Sequence, residues 1–434
     1  VNDEAGGVAR GPGRAWPWLV ACLVVGLGAR LAVVAVPYTM SSAQLMGRSL
    51  TCWAEQPFFP DSLEYLSVAH SLRHGEGFAV DRASRIGRMP AYPLLIAGLQ
   101  AIFGDGLLPV RVGDAVLGTA LIALVYLLGM ELYGRREAVI AAGITAAYPF
   151  LVVQAVLVLS ETLFMAFMVA GALFVGKAWK HPRAAWGALA GLMFGLATLT
   201  RGSYLAVAPL TAFGFVVGRR AERRACGWAA RMLSVFALTL TPWVARNWSA
   251  SDGHLVVTTL RVGPSLYEGL NEDADGGPMM DRINWDEGTA GMSEYERSRH
   301  WRDLALRYAR EHPDRVLGLA VVKLGRFWNV VPNLGQLRGA APCVVFGAPY
   351  VLVMALAVAG LLVSRRGDVA LILLLPVVYY CLVHTVFVGS IRYREALMPL
   401  LIVMAARGIV AAWARLKSRG NSATTDPASA RSAG

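Results

Sequence analysis

Charge is what this chain has least of. Only 16% of its 434 residues are Asp, Glu, Lys or Arg, against about 25% in soluble domains. With 56% hydrophobic residues and a mean hydropathy of +0.49, neither an ordinary soluble enzyme nor a disordered chain fits. Cysteine is also sparse. The five present show no metal-ligand spacing, which excludes a zinc module and a disulfide-built scaffold. No Walker A, Gly-x-Ser-x-Gly or His-Glu-x-x-His motif occurs, so those chemistries have no foothold. A formal net charge of +12 invites a nucleic-acid reading. Outside short loops, however, there is no basic module with interleaved aromatics, and nucleic acid is not an expected partner.

Long apolar stretches are plentiful. About ten approach the roughly 20 residues that a membrane span needs. They lie near residues 16–37, 109–131, 138–159, 162–178, 184–200, 202–218, 226–245, 342–363, 369–389 and 396–414. The first is too long for a secretory signal and no small-residue cleavage site follows it, so it reads as a retained span. Threading the chain through the bilayer from an inside N-terminus puts every short basic loop on one side. These loops hold Arg10 and Arg14; Arg135 and Arg136; Lys177, Lys180 and Arg183; Arg219, Arg220, Arg223 and Arg224; Arg365 and Arg366; Arg415, Lys417 and Arg419. The positive-inside rule makes that side the cytoplasm, with both termini there.

The expected organisation follows. A cytoplasmic tail (1–15) precedes a helical module (16–245) that includes an outer loop (38–108). An extracytoplasmic segment (246–341), a last set of helices (342–414) and a disordered cytoplasmic tail (415–434) complete the chain. The fold class is all-α and polytopic, with the lipid bilayer as a partner.

Three polar stretches face outward. In the first, Pro60-Asp61 opens an amphipathic pattern, and Asp61 with Glu64 resembles a capping pair. Arg88-Met89-Pro90 starts a second short helix, and both helices are expected in the membrane interface. In the second stretch, residues 254–270 suggest short strands, which would make this segment α/β. Ser293 and Glu296 form a capping box for a helix to about Arg310, and a further helix to about Phe327 lies on the membrane surface. The third is the turn GSIRYRE, where Arg392 and Arg394 point to one side if the chain is extended.

Isolated charges in apolar surroundings mark the candidate site. Residues 138–176 contain a single charge, Glu161, and residues 184–218 a single charge, Arg201. Each falls where one apolar helix must turn into the next, on the outer side. Charge so close to hydrocarbon is costly unless solvated or paired. Two such tips of opposite sign point to a shared polar site. Arg246, Arg392 and Arg394 end spans on the outer side, against the charge bias. Arg30, inside the first span, is expected to snorkel.

In order, PDSLEYLSVAHSLRHGEGF, RMPAYP, SETLF, LATLTRGSY, PWVARNW with VGPSLYEGLN, and RYREALMP resemble the motifs of the GT-C membrane glycosyltransferases. They are most similar to the bacterial relatives of protein O-mannosyltransferases and of the lipid A aminoarabinose transferase. The resemblance runs from residue 16 to about 410. It implies a GT-C helix arrangement in the bacterial inner membrane and an extracytoplasmic active site. There a sugar would pass, with inversion, from a polyprenyl-phosphate carrier to a hydroxyl on a lipid, protein or glycan. It assigns Asp61 as the base or acceptor-orienting carboxylate and Glu161 as a second acid. Arg88, Arg201, Arg246, Arg392 and Arg394 would contact carrier phosphate or sugar, with Glu64 and Tyr92 as secondary candidates. Ser62 follows Asp61 where many relatives carry an Asp-Glu pair, which leaves the second acid open between Glu64 and Glu161. A divalent metal at Asp61 and Glu161 is compatible with these residue types and not required by them. The alternative reading, a transporter or flippase of lipid-linked sugar, expects charges at the midplane and repeated, broken helices.

Overall fold

The computed structural model describes residues 16–39, 44–45, 48–81, 83–220, 222–331, 339–364 and 366–423. Arg10, Arg14 and Arg365 lie outside them. The chain is a bundle of apolar helices with its longest connections at one end. The spanning helices are α1 (Trp16–Thr39), α5 (Leu108–Leu132), α8 (Glu161–Lys180), α11 (Arg223–Ala250), α15 (Ala340–Val363), α16 (Gly367–Val386) and α18 (Met398–Ala423). Between them run α6 (Arg135–Ala147), α7 (Pro149–Leu157), α9 (Ala184–Thr200) and α10 (Val207–Gly218).

Seven helices are each long and apolar enough to cross a membrane, and α6 with α7 makes an eighth, bent by 49°. α9 and α10 are shorter apolar helices at the two remaining expected spans. The single span expected over 138–159 is thus broken. Tyr148 leaves the helical region and Pro149, which has no N–H to donate, restarts the helix. The carbonyls freed at this break accept from Arg30, whose guanidinium reaches the oxygens of Thr145 (3.4 Å) and Ala146 (3.5 Å). Arg30 is therefore fully buried against protein instead of snorkelling.

The short basic loops meet at the bundle end away from the long connections. Arg219 donates to the Trp179 carbonyl, Lys180 pairs with Glu131 at 2.9 Å, and Arg366 donates to the Leu132 carbonyl at 3.0 Å. Arg407 pairs with Glu137 at 2.9 Å. α18 continues to Ala423, so the start of the tail expected to be disordered is helical.

The long connections carry α2 (Leu50–Glu55), α3 (Pro60–Arg73) and α4 (Ala91–Phe103), then α12 (Val262–Gly269), α13 (Glu294–Glu311) and α14 (Pro313–Phe327), and α17 (Ile391–Glu395). Ser293 and Glu296 do form the capping box of α13. No strand is present among residues 254–270, against the sequence expectation. Side chains of α11 take the backbone partners that a strand would need. Trp243 Nε1 and Asn247 Nδ2 donate to the Thr258 carbonyl, and Asn247 also to that of Val256. Among the described residues, the two-residue strands Gln44–Leu45 and Arg48–Ser49 are the ones that pair as sheet.

α14 buries Leu319, Lys323 and Phe327 and exposes Leu317, Val321 and Val322, the face of an interfacial helix. Lys323 Nζ donates to the Val386 carbonyl at 2.7 Å. Burial lowers its pKa to about 8. A base that releases its proton more easily when folded makes the fold more stable as pH rises. Thermal unfolding should therefore show stability climbing between about pH 8 and the ordinary lysine range of about 10.5. Lys323→Met should flatten that rise.

Candidate active site

Six of the sequence-predicted residues converge. Asp61 lies in the first turn of α3. Phe59 takes the N-cap position and Pro60 the first helical one, so Asp61 caps nothing and its carboxylate is left to pair with other side chains. Oδ1 accepts from Arg88 Nη2 at 2.6 Å and Oδ2 from Arg392 Nη1 at 2.5 Å. Glu64, one turn on, accepts from Arg88 Nε at 2.5 Å and from Arg261 Nη1 at 3.1 Å. Arg392 Nε also donates to Glu161 Oε1, which Arg201 Nη1 approaches at 2.8 Å. Three carboxylates and four guanidiniums so form one connected chain, with the cations in excess.

Local structure explains each placement. Val158 adopts a left-handed conformation (φ 55°) and turns the backbone sharply between α7 and α8. Glu161 is the first residue of α8, where the helix dipole favours a carboxylate. Arg201 sits where the apolar run of α9 ends. Arg392 lies in α17, whose first turn is capped by Ser390 Oγ accepting from the Arg392 N–H. The preceding Gly389 donates its N–H to the Gly276 carbonyl at 2.9 Å. A Cβ there would lie 2.3 Å from the Lys323 carbonyl, so only glycine fits.

The carboxylates are not equivalent. Glu161 is completely buried, and its Oε2 has no hydrogen-bond partner among the described residues. The Asp61 side chain keeps 30% exposure, the most of the three, and can be reached from water. Burial pushes the Asp61 carboxyl up, but the charges and hydrogen bonds of Arg392 and Arg88 outweigh it and hold it well below the usual carboxylate range. Tyr393 stacks on His384 at 3.9 Å and lies 5.3 Å beneath the Arg201 guanidinium. Burial pushes its phenol up to about 12, although Arg392 and Arg201 pull the other way.

Three candidates fall elsewhere. Arg394 and Arg392 diverge because residues 391–395 are helical, not extended. Arg394 pairs with buried Glu395, donates to the Asn329 carbonyl and stacks on Tyr350. Arg246 donates to the carbonyls of Phe78 (2.6 Å) and Arg85 (2.7 Å). Tyr92 donates to Asp114 at 2.7 Å and packs edge-on against Tyr65, whose ring lies under Arg88. Arg246 and Tyr92 thus support the site's frame.

Sequence reasoning passed over Arg261, Asp114 and Glu294. For Asp114 the signal was present, a carboxylate within an apolar span. Glu294 carried none, because it sits in a stretch already rich in polar residues, and Arg261 was hidden in a stretch read as strand. Glu294 acts across 209 and 208 positions, accepting from the N–H groups of Arg85 (2.8 Å) and Ile86 (3.1 Å). It holds the loop that presents Arg88. Glu294→Ala should cost about 1–3 kcal/mol. Hydrogen exchange should quicken at residues 83–88 while the helices stay protected.

The donor set suits an anion. A divalent ion bridging Asp61 and Glu161 would need the position that the Arg392 guanidinium fills between them. Among the described residues no three His, Cys, Asp or Glu side chains gather to hold a metal.

Residues 87–245 match the family model described as dolichyl-phosphate-mannose-protein mannosyltransferase. The fold is similar to the apo oligosaccharyltransferase of Archaeoglobus fulgidus (TM-score 0.55, 17% identity, 93% of this chain and 52% of that one). It is similar also to the AglB oligosaccharyltransferase of that organism in complex with an inhibitory peptide and a dolichol-phosphate (TM-score 0.54, 16% identity, 95% and 52%). ArnT from Cupriavidus metallidurans bound to undecaprenyl phosphate aligns at TM-score 0.41 and 15% identity, over 91% and 78%. The chain spans about half the length of the archaeal structures. No curated protein matches it in sequence. This is a multi-pass membrane protein with the GT-C fold. The likeness to the archaeal structures is one of fold, and the family model matches residues 87–245 alone.

Proposed function

We propose that this chain transfers a sugar from a polyprenyl-phosphate carrier to an acceptor hydroxyl, with inversion, on the extracytoplasmic side of the bacterial inner membrane. One observation carries the reading: an accessible carboxylate, Asp61, stands among clustered guanidiniums at one end of an apolar bundle. Asp61 takes the proton of the acceptor hydroxyl. The hydroxyl oxygen bonds to the anomeric carbon as the bond from that carbon to the phosphate oxygen breaks on the opposite face. A positioned base contributes about 10²–10⁴ in rate. The leaving phosphate gains negative charge, which preorganised arginines stabilise. Arg392, Arg88 and Arg201 are the groups in place to do so.

The carrier's tail has a path. A groove of about 370 Å³ between α14, α15, α16 and α18 is lined entirely by apolar side chains, among them Trp328, Met354, Leu361, Val377, Cys381 and Leu401. Cys381 is one helical turn from His384, which stacks on Tyr393 under Arg201. The dolichol-phosphate in the similar archaeal structure supports this reading. The charges gather at one end of the helices instead of their middle, which weighs against a transporter.

Mass spectrometry of membrane extracts from cells with and without the gene tests the proposal. One polyprenyl-linked sugar should accumulate when the gene is lost. An unchanged pool of lipid-linked sugars overturns it, and vesicle transport without glycosylated product favours a flippase.

A further inference from the structure

We propose that Asp61 is a built-in competitor for the carrier phosphate: the phosphate binds by displacing Asp61 from Arg88 and Arg392, and that exchange alone makes Asp61 available to the acceptor. The inference rests on the transferase reading above and concerns how the same site is switched.

The forks of the two arginines limit how a phosphate can be held. A guanidinium grips phosphate bidentately through one of two edges, Nε with Nη2 or Nη1 with Nη2. Arg392 has Nε committed to Glu161 and Nη1 to Asp61, so each of its edges has one prong occupied. Arg88 has Nε committed to Glu64 and Nη2 to Asp61, so again neither edge is free. On Arg88 and Arg392 a phosphate therefore meets, at every edge, a nitrogen already held by a carboxylate.

The three carboxylates then fare differently. Glu161 keeps Arg201 at 2.8 Å, and Glu64 keeps Arg261 at 3.1 Å. Asp61 has only Arg88 and Arg392 as ion-pair partners among the described residues. It is also the most exposed of the three, at 30% against 24% for Glu64 and none for Glu161. Displacement thus falls on Asp61, which no third cation anchors and whose 30% exposure lets water solvate the freed carboxylate. Freed of both cations, Asp61 regains the proton affinity that a general base requires. Without phosphate it stays doubly paired. The base is freed of its cations only when the group it must act beside has arrived.

Competition fixes the sign of a binding effect. The full chain in phosphatidylcholine nanodiscs is titrated with farnesyl phosphate, with farnesol as the uncharged control. Asp61→Asn should bind farnesyl phosphate about tenfold more tightly than the wild type, a typical size for coupled binding. Arg392→Gln should bind it more weakly. Asp105→Asn, which removes an exposed carboxylate paired with Arg73 elsewhere in the first loop, should leave affinity unchanged. If Asp61→Asn binds equally or more weakly, the carboxylate builds the phosphate site instead of competing for it, and the exchange is wrong while the transferase reading stands. If wild type binds farnesyl phosphate no better than farnesol, the phosphate reading itself falls. Thermal unfolding of each variant separates lost affinity from lost fold.

Discussion

Asp61→Asn should fold, reach the membrane and lose sugar transfer by about 10²–10⁴-fold. The substitution keeps shape and removes proton affinity. Its structural cost is small because neither arginine is orphaned. Arg88 retains Glu64 at 2.5 Å, and Arg392 retains Glu161. A partly exposed ion pair contributes about 1 kcal/mol or less, so the melting temperature should hardly move. The readout is the polyprenyl-linked sugar that builds up in cells carrying the variant, set beside the level of folded protein in the same membranes. A variant that transfers at near the wild-type rate removes Asp61 from the chemistry. Asp61→Glu is informative beside it, since the added methylene keeps the charge and moves the oxygens. Partial activity there, with none in Asp61→Asn, assigns the effect to the carboxylate itself.

The helices were legible because hydrocarbon imposes a simple rule: about 20 apolar residues per crossing. That rule says nothing of breaks, and so the bend at Tyr148–Pro149 and the carbonyls it hands to Arg30 were not foreseen. Glu161 and Arg201 stood out for the same reason the spans did, as single charges in long apolar runs. Their pairing at 2.8 Å joins two helical tips that the sequence placed on one side. Asp61 and Arg88 gained their roles from motif resemblance, Arg392 stood out as an outer arginine against the charge bias, and the structure brings all three into the same network. Arg394 misled because a three-residue stretch does not reveal whether it is extended or helical, and that choice decides which way alternate side chains face. Residues 254–270 misled for a related reason. β-branched residues suggest strands, yet a strand needs a neighbour, and here Trp243 and Asn247 supply the hydrogen bonds first.

Arg392→Met should damage both stability and activity, and a second substitution should separate the two. Arg392 is the link between the open carboxylate and the closed one. Removing it leaves Glu161, which has no exposure at all, with Arg201 as its remaining cation. Breaking a buried pair from one side costs about 3–5 kcal/mol, because a charge is left poorly compensated. Adding Glu161→Gln removes that charge, so Arg392→Met/Glu161→Gln should recover most of the lost stability in thermal unfolding. Transfer should not recover, since the guanidinium proposed to meet the leaving phosphate is still missing. If the double variant regains activity along with stability, Arg392 is a scaffold for Glu161 and the phosphate must be held by Arg88, Arg201 and Arg261. If it regains neither, Glu161 has a role that its pairing with arginine does not account for, and its unpartnered Oε2 is where that role would lie.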